Sequence, residues 1–182
     1  MINARARRAV SERSSDSLLQ SALLVLAGTA LLAISAHIQV PFWPVKLSMQ
    51  SFVVLAIGFA YGSRLGALTV LTYILEGALG LPVFQSGAGL AYLAGPTGGY
   101  LLGFVLAAGL MGYAAERLDL RSLPAVAGTV LLAMVAIYGP GIAWLAVLFG
   151  AENALPYGLF PFVPGEALKA ALATAAIIAF RR

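Results

Sequence analysis

Residues 18–36, LLQSALLVLAGTALLAISA, contain no charged side chain. A stretch of about 20 such residues is what a helix needs to cross the hydrocarbon of a bilayer. Comparable runs recur at 48–62, 65–80, 97–115, 125–148 and 164–180. Backbone groups have no water to bond in lipid, so apolar runs of this length fold as helices that satisfy their own hydrogen bonds. The pattern therefore predicts an all-α integral membrane protein, a compact bundle of six transmembrane helices. Composition agrees. The chain is 61% hydrophobic and 10% charged, against roughly a quarter charged in soluble domains.

The segments between the runs set the organisation. MINARARRAVSERSSDS (1–17) is polar and basic and is expected to be a cytoplasmic tail ahead of a single membrane domain, 18–182. It lacks the short apolar core and cleavage site of a signal peptide. HIQVPFWPVKLSMQ (37–50) has two prolines and reads as a loop, Arg64 as a tight turn, and QSGAGLAYLAGP (85–96) and GAENALPYGLFPFVP (150–164) as loops. With six spans, Arg5, Arg7, Arg8, Arg13, Arg64, Arg117, Arg121, Arg181 and Arg182 fall on one side, nine of the eleven basic residues. The positive-inside rule makes that side, with both termini, cytoplasmic. The excess of basic residues thus reports orientation, and no nucleic-acid partner is expected.

Two ladders of small residues, Gly95/Gly99/Gly103/Ala107 and Ala167/Ala171/Ala175/Ala179, predict close helix packing. With no cysteine and one histidine, the chain has no thiolate site, no disulfide and no histidine cluster for a metal. It has no phosphate-binding Gly-x-x-x-x-Gly-Lys loop, and no Ser–His–Asp set can be built around His37, which reads as a loop residue. No cofactor, metal or catalytic residue is expected.

Charges within spans cost at least about 2.5–3.5 kcal/mol at the bilayer centre, so Glu76, Glu166 and Lys169 need a reason to be there. Glu166 and Lys169 are three apart and share a helix face. Either they pair at the interface, with Lys169 snorkelling outward, or they face inward and bind a polar solute. Pro164 pre-sets the helix start, and Glu166 lies in the first turn, where the helix dipole favours an anion. Gln50, opening the second span, is a helix-end residue or a ligand. Trp43, Phe84, Tyr92, Tyr100, Tyr157, Phe160 and Phe162 gather toward the outer side, as an interface belt or as the lining of a small-molecule pocket. Glu76 could instead be the proton-linked carboxylate of a self-sufficient secondary transporter of a small carboxylate or vitamin.

GLPVF (80–84), GPTGGYLLGF (95–104), PFVPGEALKAALA (161–173) and IQVPFWPVKLSMQSFVVLAIGFAYGSRLGA (38–67) resemble the hallmark segments of BioY-type biotin transporters. These are the substrate-binding S components of energy-coupling factor (ECF) transporters. The resemblance covers about residues 20–180. It implies a bacterial cytoplasmic membrane, cytoplasmic termini, and a biotin pocket opening outward under a first-loop lid that carries Trp43. It also implies docking on a transmembrane T subunit driven by ATPase subunits. The candidate binding set is then Gln50, Glu76, Phe84, Tyr92, Tyr100, Glu166 and Lys169. Glu166 stands where the family has Asp, one methylene shorter. The family's Ala-x-x-x-Ala docking motif has no match here. Thr29 and Ala33, with Ala27 and Ala30, are the nearest small residues in the first helix.

Overall fold

The structure is a computed structural model that describes the backbone of residues 4–40, 47–120 and 122–181, and the side chains of 17–38, 48–120 and 122–180. Helix α1 is Ala4–His37, so the segment expected as a tail continues the first helix from Ala4. Two-residue strands β1 (Gln39–Val40) and β2 (Leu47–Ser48) pair antiparallel, Gln39 opposite Ser48. They are followed by α2 (Gln50–Ala78), α3 (Leu90–Ala94), α4 (Gly98–Arg117), α5 (Leu123–Phe149), α6 (Ala151–Gly158) and α7 (Val163–Arg181). Among the described residues five helices are long and apolar enough to cross a membrane: Ser17–His37, Gln50–Ala78, Gly98–Arg117, Leu123–Phe149 and Val163–Phe180.

Helix α2 covers two of the expected spans, and its path explains why. Gly62 has φ 81° and ψ 177°, a conformation open in practice only to glycine. The chain reverses there. Gln50 and Tyr73 hydrogen-bond at 2.8 Å, whereas a straight helix would hold residues that far apart in sequence about 35 Å from each other. A Cβ on Gly66 would lie 3.1 Å from the Gly58 Cα, so the two legs, 50–61 and 63–78, touch. The expected turn at Arg64 thus sits two residues earlier. From the end of α4, the Glu116 carboxylate holds the turn. Its Oε1 accepts the Ser63 backbone N–H at 2.7 Å, and its Oε2 accepts the Ser63 hydroxyl at 2.9 Å. That satisfies donors which a helix start leaves without a partner.

Helix α4 is the most buried of the five, and glycine on both faces is the cause. A Cβ on Gly58 would sit 2.5 Å from the Ala108 carbonyl oxygen, and one on Gly112 would overlap the backbone of Gly62 and Ser63, so α2 and α4 touch backbone to backbone. On the other side, Gly99 abuts Pro140 and Gly141 of α5, and Gly103 abuts Ile137. This face of the ladder works as the spacing predicts. The alanine ladder of α7 does not, since Ala167, Ala171, Ala175 and Ala179 are exposed on the monomer. The core between α2, α4 and α5 includes Val54, Leu55, Val70, Met111, Val130 and Ile137. Leu23, Leu31, Leu71, Leu102, Leu132 and Leu172 point outward, the distribution suited to lipid contact.

The two segments expected as loops contain short helices. α3 lies between Gly89 (φ 89°) and Gly95, and α6 follows Gly150 (φ 90°) with Glu152 in its first turn. Density of glycine and proline was the signal for a loop. Here the glycines mark the ends of helices of five and eight residues, and Pro156 lies inside the second.

Candidate functional site

Helices α2 and α7 both begin near Ser48, and their first turns converge on one ammonium group. Lys169 is 5% exposed. Its Nζ donates to the Ser48 carbonyl oxygen at 2.5 Å, to Glu166 Oε1 at 2.5 Å and to Ser51 Oγ at 3.3 Å. Ser51 Oγ donates in turn to Glu166 Oε1 at 3.1 Å. The i, i+3 spacing brings the carboxylate and ammonium onto one face, as the sequence implies. Tertiary structure decides that this face points inward: Lys169 does not snorkel. An ammonium has three N–H donors, and each has an acceptor. Among the described residues Glu166 Oε2 is buried without a hydrogen-bond partner of ordinary geometry, with the Tyr138 side chain beside the carboxylate.

The pair lies in the wall of a cavity of about 120 Å³. Of the residues picked out from the sequence, Gln50, Phe84, Tyr92, Tyr100, Phe162, Glu166 and Lys169 line it together. Aromatic rings form two clusters in the wall. In the first, Phe84 stacks on Tyr92 (centroids 4.8 Å, 19°) and meets Tyr73 edge-on (5.5 Å, 79°). The Phe84 ring fills the space where Gly77 lacks a side chain. In the second, Tyr100 meets Tyr138 edge-on (5.6 Å, 84°), and Phe162 tilts against both. The Tyr100 hydroxyl donates to the Gly158 carbonyl at 2.7 Å, tying α4 to the end of α6. Such a lining, mostly apolar with a few fixed polar groups, suits a small solute whose rings are apolar and whose edge is polar.

Several expectations change. Glu76 does not line the cavity. It is half-buried, because the inward face of that leg is the one carrying Val70, Tyr73 and Gly77. Tyr157 and Phe160 are 61% and 60% exposed and stand outside the site. His37 is exposed, with Nδ1 2.8 Å from the Ala33 carbonyl at the end of α1. Trp43 lies outside the described residues. On α1, Ala27 and Ala30 are exposed and Ala33 is half-buried. Thr29, by contrast, is 4% exposed and bonded to the Leu26 carbonyl. Gly28 beside it packs against Thr69. Thr29 therefore faces α2 and is removed from any outward docking face.

Ser48, Ser51, Tyr73 and Tyr138 also line the cavity and were not singled out from the sequence. For the two tyrosines a signal exists: a phenol hydroxyl within an apolar span needs a polar partner. The two serines carry no comparable signal.

The fold and the cavity define the class as a multi-pass membrane protein with the fold of an ECF S component. A solved structure described as the S-component for biotin from an ECF-type ABC transporter superposes with a TM-score of 0.76 over 91% of this chain and 93% of that one, at 23% identity. The family model described as the BioY family matches residues 6–182, and the chain belongs to that family. It is 40% identical over 159 residues to a probable biotin transporter of Pyrococcus horikoshii, covering 87% of this chain and 93% of that protein. It is 39% identical over 162 residues to a biotin transporter of Thermotoga maritima, covering 87% and 94%.

Proposed function

We propose that this protein captures biotin at the membrane for uptake, as the substrate-binding subunit of an ECF-type transporter. The observation that carries the reading is the buried Lys169–Glu166–Ser51 cluster set in an aromatic wall. Biotin offers what the cavity lacks. Its fused rings are largely apolar, and its ureido group carries N–H donors beside a carbonyl acceptor. Glu166 Oε2 needs a donor, and all three donors of Lys169 are in use. The geometry favours the ureido end at Glu166, one N–H on Oε2, with the rings against Tyr100, Tyr138 and Phe162. Gln50, Phe84 and Tyr92 complete the binding set. Calorimetry on the purified chain checks this. Biotin should bind tightly, thiamine and riboflavin should not, and N-methylation of the ureido group should cost more affinity than amidation of the tail. No heat with biotin, or the reverse order of analogues, overturns the reading.

The finer topology belongs to the same proposal. Counting the two legs of α2 as separate crossings makes six. At about 18 and 24 Å long they are shorter than the ~30 Å core, so they rely on the outer and inner polar turns to finish each crossing. The arginine distribution supports cytoplasmic termini, and the reading keeps the bacterial cytoplasmic membrane as the location. A cysteine introduced at position 5 should resist impermeant thiol reagents in whole cells. The ECF reading assigns the energy to a T subunit and ATPases, and the lack of a phosphate loop in this chain is in keeping with it. The α1 surface around Ala27 and Ala30 is the face offered for docking. Tryptophan at both positions should prevent assembly with a T subunit while leaving biotin binding intact, and assembly that survives would move the docking face elsewhere.

A further inference from the structure

We infer that Tyr73 is a specificity-determining positioning residue, which fixes the direction in which the Gln50 amide faces the cavity. Tyr73 is fully buried. Its hydroxyl donates to the Val83 backbone carbonyl at 2.9 Å, and a carbonyl can only accept. The single phenol proton is therefore committed. What remains toward Gln50 is a lone pair, so the group that meets it must be the amide nitrogen, and Gln50 Nε2 donates there at 2.8 Å. A flipped amide would set a carbonyl oxygen against the phenol oxygen with no proton between them. In the observed direction Gln50 Oε1 points toward Ser48, whose hydroxyl donates to it at 3.4 Å. Among the described residues nothing further engages the second N–H of Nε2 or the second lone pair of Oε1, which leaves each for a solute at a defined place in the cavity wall.

The consequence is a set polarity. An amide is pseudo-symmetric and without a constraint could turn to suit either a donor or an acceptor. With Tyr73 it cannot, and ligands presenting the opposite pattern at that rim meet like against like. The same hydroxyl also anchors the segment that carries Phe84. One phenol thus sets both a wall of the cavity and the sense of its amide.

Two measurements on Tyr73→Phe, which keeps the ring and removes only the hydroxyl, test this. The first needs no ligand. In protein labelled with ¹⁵N at glutamine side chains, the Gln50 amide protons should exchange slowly in the wild type and at least about tenfold faster in Tyr73→Phe, since a buried hydrogen bond is lost. Unchanged exchange overturns the inference, whatever the ligand proves to be. The second rests on the biotin reading. Tyr73→Phe should weaken biotin about tenfold, the usual loss when one hydrogen bond to a buried group goes unmade. In a Gln50→Ala background it should cost less than about threefold more, because the two residues act as one unit. Losses that multiply would mean that Tyr73 acts only through the Val83 wall, and the inference fails. A wild type that binds no biotin removes the proposed function and leaves the exchange result to decide on Tyr73.

Discussion

Lys169→Ala is expected to weaken biotin binding by at least about a hundredfold. Removing one partner of a buried charge pair typically costs about 3–5 kcal/mol, and each ~1.4 kcal/mol is a factor of ten. The loss arises at three points. Glu166 keeps only Ser51, the Ser48 carbonyl loses its donor, and a buried carboxylate is left uncompensated next to the solute. Part of the cost will appear as stability, so the variant's thermal midpoint without ligand must be measured beside its Kd. Glu166→Asp should lose no more than about tenfold, since the carboxylate is kept and only one methylene is removed. Arg117→Ala, at the far end of α4, serves as the control and should leave affinity unchanged. A folded Lys169→Ala protein with the wild-type Kd would make the pair a structural bridge with no part in recognition.

Gly103→Leu should destabilise the protein by at least about 3 kcal/mol, at or beyond the upper range for overpacked cores. The reason is that nothing flexible stands in the way. A Cβ at Gly103 would lie 2.5 Å from the Ile137 carbonyl oxygen and 2.7 Å from its Cα, so the α4 and α5 backbones must part. That separation also reaches the site. Tyr100 stands one turn before Gly103 and Tyr138 one residue after Ile137, and their edge-to-face contact at 5.6 Å spans the same two helices. The expected result in detergent is a melting midpoint lowered by many degrees, with biotin affinity falling even in the fraction that stays folded. Gly128→Leu is the contrast, because a Cβ there meets nothing within 4 Å. Equal midpoints for the two variants would refute the packing account.

The class of fold was legible in the amino-acid pattern. Long apolar runs must become helices in lipid, and the runs at 18–36, 97–115, 125–148 and 164–180 reappear within a few residues as the membrane-spanning parts of α1, α4, α5 and α7. The Glu166–Lys169 ion pair was also legible, because the i, i+3 spacing puts both on one face. Four matters needed tertiary structure. The reversal falls at Gly62 because Glu116, more than 50 residues away in sequence, caps Ser63 there. Glu76 is excluded from the cavity because the inward face of its leg is set by contacts with α4 and the Phe84 ring. Thr29 looked like part of an outward small-residue face until α1 was laid against Thr69 of α2. Ser48 and Ser51 join the site only because the starts of α2 and α7 meet. Periodicity and hydropathy describe one helix in a uniform medium. Which face of each helix meets protein and which meets lipid is decided by its neighbours, and in a bilayer the side chains on both faces are equally apolar.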